Sequence, residues 1–293
     1  MTGLDARDRV VRLSCWSGPV DPVPLKGGIT NANFMVADRD RRYFVRIGDD
    51  IPIHGVMRFA ELAASRAAEA VGLSPELVHH EPGALVFRFI DAVTLTPEAV
   101  RPRAMLERIL PLIQRCHRDM PKHLRGPVLM FWPFHIFRDY AASLRDMGSR
   151  MIPALPRLGR TADELEAMVG PVDLVFGHND LLAANFLDAG DRLWLIDWDY
   201  GGYSSALFDL ANLSSNNDVS ADDERWLLET YFSRKVDGGL WRRYHAMKCT
   251  SLMRETMWSM IAEHVSKIDF DYRAYTDDYL ARLDRALAEL KQI

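Results

Sequence analysis

Cysteine is nearly absent from this chain: Cys15, Cys116 and Cys249 are the only three in 293 residues. Odd in number, far apart and without a CxxC spacing, they argue against a disulfide framework and a zinc knuckle, and are expected as reduced thiols in a cytoplasm. Long apolar runs are missing too. No segment approaches the roughly 18 apolar residues a membrane span requires, and the first stretch, MTGLDARDRVVRLSCWSG, is broken by charge where an export signal would need an apolar core. Nor is there an excess of positive charge. A formal charge of −5 and a pI near 6.0 give no global field for a polyanion, which disfavours a nucleic-acid partner. Neither repeats nor low-complexity segments occur. What remains is a chain with 48% hydrophobic residues, enough for one large domain or two modest lobes.

The front of the chain reads as strands. VPLKGGITNANFMVADRDRRYFVRIGDD holds NFMVA and YFVRI on either side of the polar turn DRDR, a hairpin preceded by a glycine loop. From about Met57 to Val71 the pattern becomes an alanine-rich helix with Leu62, Ala63, Ala67, Ala70 and Val71 at helical spacing and Gly72 as its stop. PELVHHEPGALVFRFI then returns to strands about the turn Glu81-Pro82-Gly83, closing a small α+β lobe near Ile90. Beyond Asp91 the chain is mainly helical. Met105, Leu106, Ile109, Leu110, Ile113 and Cys116 mark one apolar face, in a helix that Pro111 should kink. RMIPALPRLGRTADE is the most loop-like stretch, a connection between helices or, as the alternative, a mobile insert, and residues 185 to 197 read as a second short hairpin, with the turn DAGDR between NFL and LWLID.

The chemistry gathers at that second hairpin. GHNDLLAANFL, residues 177 to 187, is open to two readings: a buried turn whose polar side chains satisfy its own backbone, or a catalytic loop. Antiparallel pairing brings Asn185 and Asp197 to the same end of the hairpin, with Asp180 just upstream, and strands lie about 5 Å apart. Hard oxygen ligands of this kind suit Mg²⁺, which takes the rest of its shell from water and phosphates. A catalytic Asp, an Asn after four intervening residues and a second, metal-binding Asp form the phosphoryl-transfer arrangement. The front lobe can supply the other half. Gly27 and Gly28 allow close backbone approach, Thr30 and Asn31 add polar groups, Arg46 can reach phosphate oxygens and Glu61 can hold it. Glycines of an ordinary hairpin turn and a surface ion pair are the plainer alternatives. His178 is expected to buttress the loop, and His79-His80 to be solvated.

These motifs resemble the choline/ethanolamine kinase family, within the aminoglycoside phosphotransferase and protein-kinase-like superfamily. The resemblance covers nearly the whole chain and rests on GGITNANF, VRIG with arginine in the usual lysine place, HNDLLAANF, LIDWDYGGYSSALFDLAN and MWSMIAEHVSKIDFDYRAYTDDYLARLD. It implies an α+β, bilobal protein-kinase-like fold: a small β-rich nucleotide-binding lobe over 1–90 and a larger, mainly helical catalytic and acceptor-binding lobe over 91–293. It implies Mg²⁺ and ATP between the lobes, Asp180 as base, Asn185 and Asp197 as metal ligands, Arg46 as the phosphate-binding cation and an adenine contact through the backbone near Phe89 to Asp91. The acceptor would be a small alcohol of cationic character, choline or ethanolamine, held by Tyr200, Trp258 and Tyr275 through cation–π contact. This chain departs from the family pattern at two places. Asn216 and Asn217 stand where an acidic residue is common, and Glu255 stands where eukaryotic choline kinases carry a second tryptophan. An aminoglycoside or amino-sugar kinase, and a nucleotide-binding pseudokinase, remain the alternatives, and the oligomeric state stays open.

Overall fold

The computed structural model describes residues 5–25, 31–266 and 268–293; the expected glycine loop with Gly27, Gly28 and Thr30 lies outside them. A short helix α1 (Ala6–Val11) precedes strands β1 (Val23–Pro24), β2 (Ala32–Asp38) and β3 (Arg41–Ile47). Then come α2 (Arg58–Ala70), β4 (Leu77–Glu81) and β5 (Ala84–Arg88). The strands make one antiparallel sheet in the order β1-β2-β3-β5-β4. Its tight turns fall where the sequence predicts them, with Arg39 and Gly83 in the left-handed region. Alternation along β3 sends Val45 and Ile47 into a small core with Phe34, Val36 and Val10, and Arg46 to the opposite face.

The α2 helix belongs to the larger core instead. Ala64, Ala67 and Ala68 pack with Leu73 into the cluster built by the later helices. This corrects the predicted apolar face, of which only Ala67 is fully buried: Ala60, Glu61, Ala64, Ser65, Ala67 and Ala68 turn inward instead. With alanine on every side of the helix, spacing alone could not choose a face.

After the extended residues 89–92 the chain forms β6 (Val93–Thr94), α3 (Pro97–Val100) and α4 (Arg103–Asp119), whose predicted face from Leu106 to Cys116 is buried and which continues past Pro111. The segment expected to be a connection is largely helix. Following α5 (Pro133–Asp146), α6 runs Leu155–Val169. Pro156 sits in its first turn, where its missing N–H is harmless, and Leu155, Leu158, Ala162, Leu165 and Val169 bury one side. Next are β7 (Leu174–Gly177), β8 (Phe186–Asp188), β9 (Leu193–Leu195) and β10 (Gly202–Ser205). The helices α7 (Ala206–Asn217), α8 (Ala221–Phe232), α9 (Gly238–Val265) and α10 (Tyr272–Leu290) complete the chain. The small sheet set against this predominantly helical remainder is the protein-kinase-like α+β fold expected from the sequence. No helix of the described residues is long and apolar enough to cross a membrane.

β10 pairs with β7, so that Gly202 faces Gly177 at the mouth of the loop that follows. A Cβ on Gly202 would stand 2.8 Å from the Leu129 carbonyl oxygen, a backbone atom that itself accepts the Tyr203 N–H. Gly202→Ala is therefore expected to destabilise by about 1–3 kcal/mol, as overpacking does, and to lower the melting temperature by several degrees. A thermal melt coincident with wild type would show that this backbone yields.

Candidate active site

The loop after β7 is held by groups behind it. Asp209, in the first turn of α7, accepts the His178 N–H on Oδ2 at 2.8 Å and the Asn179 N–H on Oδ1 at 2.7 Å. His117 Nε2 lies 2.9 Å from Asp209 Oδ2, and its Nδ1 lies 2.8 Å from the Tyr231 hydroxyl. Burial alone would raise Asp209; the His117 hydrogen bond and charge, then His178, outweigh it and hold the carboxyl low. Asn179 is in the left-handed region, which asparagine tolerates, and its Nδ2 donates to the Tyr200 and Gly202 carbonyls at 2.9 and 3.1 Å. His178 buttresses the loop as expected. Its Nε2 meets the Ile196 carbonyl at 2.9 Å, the Asp180 N–H donates to its Nδ1 at 3.3 Å, and burial keeps it neutral.

The next residues are tied equally well. Leu181 donates its N–H to Asn212 Oδ1, Asn217 Nδ2 donates to the Leu181 carbonyl at 3.1 Å, and Asn185 Nδ2 donates to the Asp180 carbonyl at 2.8 Å. The loop is therefore fixed through backbone groups. Asp180 keeps its carboxylate free of that task, and Oδ1 has no hydrogen-bond partner among the described residues. Burial, then Glu255 and Asp199, push its carboxyl up to about 7 against the pull of Arg254.

The second hairpin carries Asn185 and Asp197 to one end, as its register predicts. Phe186 pairs with Leu195, and the Ile196 N–H donates to the Asn185 carbonyl at 3.0 Å. Asp197 takes a left-handed backbone that leaves its side chain exposed. Enclosure by the cleft, followed by Asp199, Glu61 and Asp180, raises its carboxyl, with Arg46 opposing. Because the side chain itself is open, crowding by like charge is the effective cause, and a cation there would relieve it.

Asp199 was not anticipated, yet it joins the two halves of the site. Arg46 binds Asp199 Oδ1 and Glu61 Oε2 with its two terminal nitrogens. Arg58 Nη1 reaches Asp199 Oδ1 at 2.7 Å and Glu61 Oε2 at 2.8 Å. Asn31 bridges the same groups, with Nδ2 donating to Asp199 Oδ2 at 3.0 Å and Oδ1 accepting from Arg58 at 2.7 Å. Burial opposes the charge on both Arg46 and Asp199, and pairing overcomes it: Arg46 is raised and Asp199 lowered. The expected Arg46–Glu61 pair is thus present, with its guanidinium shared with a second carboxylate.

Along the linker, the Phe89 N–H is taken by the Arg42 carbonyl at 3.1 Å, and the Arg42 guanidinium covers the Phe89 ring and pairs with exposed Asp91. The expected aromatic residues come together from three elements. Trp258 Nε1 donates to the Tyr200 hydroxyl at 3.0 Å, and the Tyr275 hydroxyl donates to Glu255 Oε1 at 2.9 Å. Trp258 is 4% exposed and faces His54 at 5.4 Å between ring centres. Asn216 and Asn217 are buried on α7, the latter in the loop support already described.

A family model for choline/ethanolamine kinase matches residues 23–227. Protein LicA of Haemophilus influenzae is 23% identical over 287 residues, covering 93% of this chain and 80% of that protein. A choline/ethanolamine kinase family protein from Mesorhizobium loti superposes with a TM-score of 0.77 and 28% identity, over 96% of this chain and 93% of the other. The structure of LicA in complex with AMP has a TM-score of 0.74 and 21% identity, covering 96% and 97% of the two chains. With a family model matched over most of its length, the chain belongs to the choline/ethanolamine kinase family, whose members are phosphotransferases acting on an alcohol group.

Proposed function

We propose that this protein is an ATP- and Mg²⁺-dependent kinase for the hydroxyl of a small amino alcohol of the choline/ethanolamine type, with a nucleotide-binding lobe over 1–90 and a catalytic lobe over 91–293. The observation that carries this reading is the Asp180 carboxylate, whose Oδ1 has no hydrogen-bond partner among the described residues and which takes no part in the contacts that hold its loop. Such a group is built to accept a proton. With its carboxyl near 7, Asp180 takes the acceptor hydroxyl's proton as that oxygen attacks phosphorus.

The donor set suits a hard divalent cation. Asn185 uses its Nδ2 on the loop, which leaves its oxygen for a metal, and Asp197 brings an exposed carboxylate crowded by others. Mg²⁺ held there would neutralise charge on the phosphates. No cluster of three or more His, Cys, Asp or Glu placed to bind a metal occurs among the described residues, so affinity would lean on the nucleotide. An AMP complex of a LicA protein agrees with a nucleotide in the cleft. The backbone near Phe89 to Asp91 would meet adenine, and Gly27, Gly28, Thr30 and Asn31 the phosphates.

Arg46 would serve the phosphates from its place between Glu61 and Asp199, so its substitution is expected to raise the ATP KM more than Glu61→Ala does. Arg46→Lys is the informative variant, because it preserves charge while losing the fork that bridges two carboxylates. Equal ATP KM values in wild type and Arg46→Lys would remove the fork from nucleotide binding. The function itself is tested by ADP release with choline, ethanolamine, an aminoglycoside and an amino sugar. Turnover of either amino alcohol is expected; turnover of the sugars alone would overturn the reading.

A further inference from the structure

The acceptor end of the cleft contains a cation that the function above does not use. Arg254, on α9 and only 2% exposed, donates from Nη1 to Glu255 Oε2 at 2.7 Å, and the same nitrogen lies 3.9 Å from Asp180 Oδ1. Its guanidinium carbon stands 4.2 Å from the centre of the Tyr200 ring and 5.8 Å from that of Phe131. Burial works against its charge, but Tyr200, Glu255 and Asp180 more than compensate, and it stays protonated. His54, on the far side of Trp258, is kept neutral at about 3 by burial and by Arg254, so Arg254 is the cation of this wall.

Two buried polar atoms here have no hydrogen-bond partner among the described residues, Arg254 Nη2 and Asp180 Oδ1. One is a donor and the other an acceptor, on an ion pair whose recorded approach, from Arg254 Nη1 to Asp180 Oδ1, is 3.9 Å and too long for a hydrogen bond. A hydroxyl, with one proton and two lone pairs, satisfies both at once: it donates to Asp180 and accepts from Arg254. Each ring expected to hold an ammonium already has a neighbour against it. Tyr200 carries Arg254, Trp258 carries His54, and Tyr275 lies 4.5 Å from Tyr279. A quaternary ammonium donates no conventional hydrogen bond and depends on such faces. It would meet a resident cation instead.

Resting on the kinase reading above, we propose that Arg254 is an acceptor-binding residue: its guanidinium fills the cation seat on Tyr200, its Nη2 receives the acceptor hydroxyl opposite Asp180, and the enzyme thereby selects primary-amine alcohols over trimethylammonium ones. An ammonium that retains N–H donors can use carboxylate and amide oxygens in place of ring faces, and the smaller group stays clear of the guanidinium.

The test compares ethanolamine and choline in wild type, Arg254→Met and the double variant Arg254→Met/Glu255→Gln, the last neutralising Glu255 as well so that it is not left as a buried charge without its hydrogen-bonded partner. Wild type should favour ethanolamine at least about tenfold in kcat/KM. Loss of a charge-assisted hydrogen bond should lower kcat/KM for ethanolamine by roughly 10- to 150-fold in the variants, with the ATP KM unchanged and the preference shifted toward choline. An unaltered preference in a folded variant overturns the proposal. Calorimetric titration with choline reads the cation seat without turnover: the double variant should bind it more tightly than wild type, and equal or weaker binding also overturns the proposal. If wild type phosphorylates neither alcohol, the kinase reading fails, and the choline titration still judges Arg254.

Discussion

Asp180→Asn is expected to lower kcat by roughly 10²- to 10⁴-fold, the usual worth of a general base, with ATP affinity nearly unchanged. The substitution keeps the shape of the side chain and every support of the loop. His178 accepts the residue's N–H, Asn185 donates to its carbonyl, and Asp209 holds the two preceding N–H groups, none of which involves the Asp180 carboxylate. What is lost is the proton acceptor. The pH profile gives a second reading of the same role. A base must be deprotonated to act, and burial has raised this one to about 7, so kcat/KM of the free enzyme should be full above that range and fall as the pH drops through it. The residual activity of Asp180→Asn should lack this acidic limb. Steady-state kinetics with direct nucleotide binding decides the matter: an asparagine enzyme with wild-type kcat removes Asp180 from its role.

The parts of this site that were legible in the sequence share one property: they are polar residues at fixed short spacing around a hairpin. Asp180, Asn185 and Asp197 are of this kind, and pairing geometry was enough to place them together. The Arg46–Glu61 pair was legible from chain order, strand then helix. Asp199 was not, because it sits two residues beyond Asp197 in LIDWDY and nothing in that spacing tells that its side chain points back to Arg46 and Arg58. Asp209 and Asn212 lie inside the apolar run SALFDLAN, where a buried carboxylate anchoring two backbone N–H groups was the signal available. Arg254 was hidden by α9 itself. That helix is buried on nearly every face from Leu240 to Ala262, so no polar stripe singles out a residue.

The fold shows the same division. Strands and turns followed their residues, because alternation and turn chemistry are local. The apolar face of α2 did not, since alanines around the whole helix left the choice to tertiary packing, and the larger core, with its close approach between Ala64 and Gly201, made it. RMIPALPRLGRTADE misled in the opposite direction. Its two prolines and its glycine read as loop, but one proline falls in the first turn of α6, and the buried leucines of that helix outweigh the glycine.

The second large effect is expected at Asp197, where loss of the carboxylate should leave either a sharply raised Mg²⁺ requirement or no measurable activity. The physical reason differs from that at Asp180. Asp197 stands exposed among Asp199, Glu61 and Asp180, so in the absence of a cation it is repelled by its neighbours, and removing it relieves that repulsion while taking away the proposed ligand. Stability should therefore hold even as function is lost. The choice of substitution matters, because Asp197 lies in the left-handed region at φ 66°. Alanine there costs about 1–2 kcal/mol, whereas asparagine adopts that backbone readily. Asp197→Asn is thus the clean variant and Asp197→Ala the severe one. Both should shift the Mg²⁺ titration of activity, and both should weaken the rise in melting temperature that Mg²⁺ and ADP together confer on wild type, a readout independent of turnover. Asp180→Asn, by contrast, should retain that rise. If Asp197→Asn titrates with Mg²⁺ as wild type does and is stabilised equally by Mg²⁺ and ADP, the cation is held elsewhere.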